Sequence, residues 1–342
     1  MADVTTPVAV QPTRTRGRWL AAIGRQRELS LVAMMFVLGA GVSAVAPQFL
    51  SVSNFSQVAV LASITAVAAM GEAIVIITRG IDLSVEAMIG LVAYAVARML
   101  ELHALDPVGA IAFGLTLGLV LGMINGVVVA VLKVPAIVAT LGTLSVFRGI
   151  DYLVAGPHQV PLAGLPEHFT DPARSDVFGI PYFVIVTVAV VVIGSLFLRS
   201  TRFGRQVYAV GNNPEAASIL GIPSRRVIFF AFSMCGLLSG LAGIMWVMEF
   251  GTTNGTAATG AVLGIVAAVV VGGVNTLGGS GTLAGAALGA LFLGFIANAL
   301  ILVGLSQFWL QAIYGVVILL AVSADAIILR RIRRATSQRH VR

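Results

Sequence analysis

The sequence predicts an all-α integral membrane protein of about ten transmembrane helices, some of them broken. Three observations carry this reading. Of the 342 residues, 58% are hydrophobic and only 10% are charged, whereas soluble domains run at about 25% charged. Positions 250–324 hold no charged residue at all, which leaves room for about three spans of roughly 20 residues. The apolar runs also lack the alternation of barrel strands, so the backbone is satisfied within helices.

In chain order, residues 1–28 are polar and carry Arg14, Arg16, Arg18, Arg25 and Arg27, the composition of a cytoplasmic tail. The first span is Ser30 to Ala46. Ala44-Val45-Ala46 has the form of a signal-peptidase site, but the long charged region and the spans that follow argue against cleavage. Further spans fall at 57–78, 82–102, 107–131, 135–154, 179–198, 227–249, 261–277, 282–304 and 309–329. With the N-terminus inside, every lysine and arginine except Arg98, Arg148 and Arg174 lies on the inner side. That distribution fits a chain with both termini in the cytoplasm. The organisation is then a tail at 1–28, a transmembrane domain at 29–329 and a basic tail at 330–342. The longest outer segment, Ala155 to Gly179, holds Pro157, Pro161, Pro166 and Pro172 and reads as an irregular loop, either a landing place for a partner or a passive connector.

The inner loop 199–226 carries Arg199, Arg202, Arg205, Arg225 and Arg226. Within it, Asn213 to Gly221 reads as a short helix. Asn213 caps it, Pro214 suits its first position, Glu215 favours its positive end and Gly221 stops it. Such a helix is either a surface for another protein to push on or an ordered loop without a partner.

Two polar breaks interrupt the apolar runs. At Gly80-Ile81-Asp82-Leu83-Ser84-Val85-Glu86, Asp82 or Ser84 is placed to cap the next helix, and Arg79 to pair with Asp82 or Glu86. The second break, Gly272 to Gly281, includes Gly273, Asn275, Gly278 and Gly279. It is too glycine-rich for a helix interior and must be buried in protein or line water. Gly285 and Gly289 then offer a close-packing face. Glu72, Asn125, Thr140, Thr143 and Ser145 add interior polarity. Arg148 and Asp151, three apart, share a helix face and can pair. These groups either line a solute path or hold helices together. One break in each half is the pattern of an inverted-repeat permease fold.

Several chemistries are excluded. The net charge of +7 sits at span ends and termini, a topology signal rather than a nucleic-acid footprint. Cys235 stands alone and reads as a small packing residue. His103, His158, His168 and His340 lack metal-ligand spacing. The single lysine, Lys133, follows no glycine-rich phosphate loop. No triad, His-Glu-x-x-His or paired-carboxylate arrangement appears. No catalytic, cofactor-binding or metal-binding residue is therefore expected. If ATP drives the protein, ATP and magnesium belong to another chain.

Four ordered stretches between about residues 55 and 325 resemble the permease subunit of bacterial ABC importers of the ribose, xylose and autoinducer type. They are Gly80-Ile81-Asp82-Leu83-Ser84-Val85; Asn125-Gly126 with Val134 to Thr143 and Arg148-Gly149; Thr201 to Gly204-Arg205 through Gly211-Asn212-Asn213-Pro214-Glu215-Ala216-Ala217 to Gly221; and Ala267 to Gly273 with Gly278 to Gly281. The resemblance implies a dimeric pore of two permeases, identical or sister chains, within membrane lipid. It implies a pair of cytoplasmic ATPase subunits and a periplasmic substrate-binding protein. It also implies that Gly204, Arg205, Asn212, Asn213, Glu215, Ala216, Ala217 and Gly221 belong to the element that couples to the ATPase. Two departures stand out: Glu86 occupies a position usually glycine, and Val262-Leu263-Gly264 replaces a usual polar triplet.

Carbohydrate import is the expected function. Its alternatives are an ABC permease for nucleosides or branched-chain amino acids, with Arg148 serving a carboxylate, and an ion-coupled carrier using Glu72 or Asp82.

Overall fold

The computed structural model describes residues 15–306, 308–320 and 323, with side chains from residue 28 onward. The protein is a bundle of helices. In order they are α1 (Thr15–Ser43), α2 (Val52–Ile77), α3 (Val85–Glu101), α4 (Pro107–Gly126), α5 (Ala136–Ala155), α6 (Glu167–Arg174), α7 (Tyr182–Ser200), α8 (Arg202–Asn212), α9 (Pro214–Ile219), α10 (Ser224–Phe250), α11 (Ala261–Val271), α12 (Leu283–Leu302) and α13 (Trp309–Leu320). Among the described residues, six helices are long and apolar enough to cross a membrane: α2, α4 with its π-helical extension to Val131, α5, α7, α10 and α12. Shorter apolar helices cover Glu28–Ser43, Ala261–Val271 and Trp309–Leu320. Residues 1–14 and 324–342, and with them half of the expected N-terminal tail and all of the expected C-terminal one, lie outside the described residues, while α1 already begins at Thr15.

Local chemistry sets the helix starts. Ser51 accepts from the Asn54 amide at the head of α2. Asp106 accepts from the Gly109 amide ahead of Pro107 at the head of α4. Thr201 and Thr282 accept from Gly204 and Gly285 at α8 and α12. Each side-chain oxygen satisfies one of the orphan amides of a first turn.

Helices α2 and α10 form the centre. Helix α10 packs against α4, α2 and α3, while α2 also packs against α12, α11 and α7. Glycine makes the closest approaches. A Cβ at Gly118 of α4 would lie 2.5 Å from the Gly236 carbonyl of α10, and one at Gly236 would lie 2.3 Å from the Gly118 carbonyl. Between α11 and α12, a Cβ at Gly289 would fall 2.0 Å from the Ala268 carbonyl, so the expected small-residue face of Gly285 and Gly289 is real. Outward sides of α5 and α7 stay apolar and exposed, with Leu153 and Ile193 among them, as lipid-facing helices do.

The segment 155–181 differs from the expected irregular loop. It holds a short 3-10 turn at Leu162–Gly164, the helix α6 and a two-stranded hairpin pairing Asp176–Val177 (β1) with Ile180–Pro181 (β2). Prolines at 161 and 166 sit at the N-terminal caps of the 3-10 turn and α6, where a missing N–H costs nothing.

Candidate functional site

The basic segment after α7 folds as expected and docks against the end of α2 and the second break. Asn213 accepts from the amides of Glu215 and Ala216 at 3.1 and 3.0 Å, Pro214 opens α9, and Gly221 takes a φ of +74° beyond its end. Ala217 is buried, while Glu215, Ala216 and Ser218 are exposed. Gly204 forms the corner between α7 and α8, where a Cβ would lie 2.4 Å from the Leu198 carbonyl. Arg205 is exposed and reaches the Ser200 carbonyl at 3.3 Å.

Arg79 is the correction here. It pairs with neither Asp82 nor Glu86. It sits at φ +71° just past α2. There its Nε and Nη2 donate to the carbonyls of Gly211 and Asn212 at 2.6 and 2.8 Å. The Gly279 amide donates to the Ile77 carbonyl at 2.9 Å. A Cβ on Gly211 would fall 1.8 Å from that same carbonyl. The end of α2, the end of α8 and the second break thus meet at one junction.

The second break is a tight turn. Helix α11 stops at Val271, and Gly273, Gly278, Gly279 and Gly281 all have positive φ. Asn275 accepts from the Leu277 amide at 2.9 Å, and its own amide donates to the Ser280 carbonyl. Gly272 packs against the Gly285 carbonyl of α12.

At the first break neither Asp82 nor Ser84 caps α3 with its side chain. Asp82 instead accepts from the Ser84 amide and hydroxyl at 2.9 and 2.6 Å, a local turn that competes with capping. Asn125 of α4 donates to Asp82 Oδ2 at 3.0 Å and to Ser84 at 2.7 Å. Glu72 accepts from the Asp82 amide at 3.1 Å, with the Cys235 sulfur 3.9 Å from its other oxygen. All five are buried. Thr140 donates to the Ile81 carbonyl at 3.2 Å and bridges α5 to the break. Ser145, by contrast, points outward.

Arg148 and Asp151 do pair, at 3.4 Å. Arg148 also pairs with Glu86 at 3.7 Å and donates to the Ala257 carbonyl at 2.9 Å. It is 7% exposed, so its guanidinium is occupied by protein groups.

The feature that sequence reasoning missed is a cavity of about 800 Å³, within the roughly 300–1,000 Å³ of small-molecule sites. It opens at the end of the bundle opposite α8 and α9. Its floor reaches Ile64, Thr65 and Ala68, midway along α2. Trp246 and Phe250 of α10, with ring centroids 4.5 Å apart, and Tyr314 of α13 supply aromatic surface. Gln159, Asn254 and Gln311 supply amides, and the Thr252–Thr259 stretch supplies hydroxyls. Among the described residues no charged side chain lines it. The signal was present in Thr252-Thr253-Asn254-Gly255-Thr256, an uncharged polar run directly after Trp246 and Phe250. None of the polar residues singled out from the sequence lines this cavity; they hold the helices around and beneath it.

A multi-helix membrane bundle with a solute-sized cavity ending halfway along its central helix is a transport protein. Among the described residues no group of His, Cys, Asp and Glu is arranged to hold a metal. The profile of a family described as branched-chain amino acid transport system / permease component matches residues 54–322. The chain belongs to that family of transport permeases. It is 35% identical to the ribose import permease protein RbsC of Escherichia coli (strain K12) over 321 residues, which span 90% of this chain and 96% of that protein. It is 36% identical to the autoinducer 2 import system permease protein LsrC of Escherichia coli O9:H4 (strain HS) over 278 residues, 81% of this chain and 80% of that protein. No solved structure matches.

Proposed function

We propose that this chain is the membrane-spanning subunit of an ATP-driven sugar importer and forms the path for a monosaccharide or related polyol. The observation that carries this is the lining of the cavity: aromatic rings, amides and hydroxyls, with no charged side chain among the described residues. Rings pack on the C–H faces of a sugar, while amides and hydroxyls exchange hydrogen bonds with its hydroxyl groups. A zwitterionic amino acid would bring two charges and find no counter-charge there. Arg148, the one cation weighed for a carboxylate, has its donors engaged by Glu86, Asp151, Gly255 and Ala257. The names of the ribose and autoinducer 2 relatives agree with a sugar-like solute.

The same reading assigns the partners and the orientation. The basic end with α8 and α9 faces the cytoplasm of a bacterial inner membrane, with both termini on that side. Helix α9 ends on Ile219 and Leu220, which are 87% and 79% exposed. On a small polar element these two apolar side chains suit a groove on an ATPase subunit, which would bind ATP and magnesium in place of this chain. Gly204, Arg205 and the residues from Asn212 to Gly221 form the coupling element. The cavity faces the periplasm and receives solute from a binding protein, and a second permease copy or sister permease completes the pore.

The test is uptake of labelled D-ribose by cells expressing the complete system, competed by rhamnose, autoinducer 2, leucine and adenosine. Competition by sugars supports the reading. Competition by leucine alone overturns it.

A further inference from the structure

We propose that the buried Arg148–Glu86 pair is a clamp that shapes the wall of the cavity, making both positioning residues for the solute. The proposal rests on the reading of the cavity as the solute site.

Between α10 and α11 the chain runs through residues 251–260 without regular helix. Buried carbonyls and amides of such irregular backbone need partners. Arg148 of α5 supplies them for the carbonyls. Its Nη1 donates to Ala257 at 2.9 Å and to Gly255 at 3.4 Å. Glu86, in the first turn of α3, supplies an acceptor for the amides. Its Oε2 accepts from the Val262 N–H at 3.1 Å. Val262 lies in the first turn of α11, where unpaired N–H groups favour an anion. The two side chains close the frame through a 3.7 Å ion pair. One cation thus holds two carbonyls of the wall, at Gly255 and Ala257, and one anion holds an amide at the head of α11.

The room for this is made by Gly90, one turn beyond Glu86. A Cβ there would fall 2.6 Å from the Ala257 carbonyl and 2.7 Å from Arg148 Nη1. The cavity is lined from the same stretch by Asn254, Thr256, Ala257 and Thr259, whereas Arg148 and Glu86 do not line it. A buried ion pair is a poor source of stability, because desolvation offsets its attraction. The start of the segment is already pinned by the Thr253–Val160 bridge; held against the part beyond it, at 255–262, the pair is suited to fixing position.

The test is hydrogen–deuterium exchange on the full-length chain in lipid nanodiscs, with uptake kinetics measured in parallel. Arg148→Gln should raise exchange in 255–262 about tenfold and leave the α4 glycine seam unchanged. Gly90→Ala, which keeps every charge but crowds the clamp, should do the same. Glu86→Gln, which retains an acceptor for Val262, should stay nearer wild type than Glu86→Leu. In cells the first two variants should raise the KM for labelled D-ribose about tenfold with Vmax within about twofold. Unchanged exchange in 255–262 overturns the clamp. So does exchange that rises equally along α4, which would mark a general support. Local exchange with an unaltered KM overturns its role for the solute. A wild type that imports no sugar sinks the solute reading instead, and exchange alone then decides the clamp.

Discussion

Arg79 and Gly211 are joined by a 2.6 Å hydrogen bond from guanidinium to carbonyl. It spans 132 positions of sequence and ties the end of α2 to the end of α8. Both helix ends present unpaired carbonyls and a partial negative charge; the guanidinium satisfies those of α8, and the Gly279 amide that of Ile77 in α2. The same α2 lines the cavity at Ile64, Thr65 and Ala68. If α8 and α9 are the coupling element proposed above, a push on them would reach the cavity floor through the single helix α2.

Removing that cation tests the route. Charge-assisted hydrogen bonds contribute roughly 1.5–3 kcal/mol each. Arg79→Ala should cut solute uptake by about tenfold or more while the protein still inserts and still binds its ATPase. Uptake at wild-type level with the ATPase bound would show that force travels elsewhere.

Gly211→Ala should be more severe. Its methyl would lie 1.8 Å from the Ile77 carbonyl, a backbone atom that cannot swing aside. Overpacking typically costs about 1–3 kcal/mol and here adds a lost docking contact. A lower melting temperature in detergent, together with lost uptake, is expected. Wild-type stability would mean that α8 does not rest on α2.

In the seam between α4 and α10, Gly236→Val should destabilise by several kcal/mol. Two backbones meet where a Cβ would lie 2.3 Å from the Gly118 carbonyl, and close small-residue contacts carry helix association in lipid. Thermal unfolding in nanodiscs reads the loss directly. The contrasting variant is Gly142→Val on the outward side of α5, where nothing lies within 4 Å, and it should leave the melting temperature unchanged.

At the cavity, Trp246→Ala should raise the KM for D-ribose uptake more than it lowers Vmax, by roughly tenfold for the loss of one aromatic platform. An equal fall in Vmax with constant KM would place Trp246 outside the solute's path.

Orientation has its own test. Ser218 is exposed on α9, and Cys235, the one native cysteine, is fully buried. Ser218→Cys should react with an impermeant maleimide in inside-out vesicles and stay unlabelled in intact cells. Labelling from outside would reverse the proposed topology.

The all-α membrane class was legible from composition and the uncharged run 250–324, because a bilayer forces a backbone to pair with itself. Helix α9 was legible residue by residue, from Asn213 through Pro214 to Gly221, because capping is decided by immediate neighbours. The pairing of Arg148 with Asp151 and the close packing at Gly285 and Gly289 followed from helical spacing alone. The partners of Arg79 and Glu86 were not legible. Each has a plausible neighbour in sequence, yet each meets a carbonyl, a cation or an amide from a helix far along the chain, at Gly211, Arg148 and Val262. The cavity is a matter of tertiary structure for the same reason. Its walls come from α2, α3, α10, the 251–260 segment, α11 and α13, and an empty volume between helices is set by how they pack, which no single segment encodes.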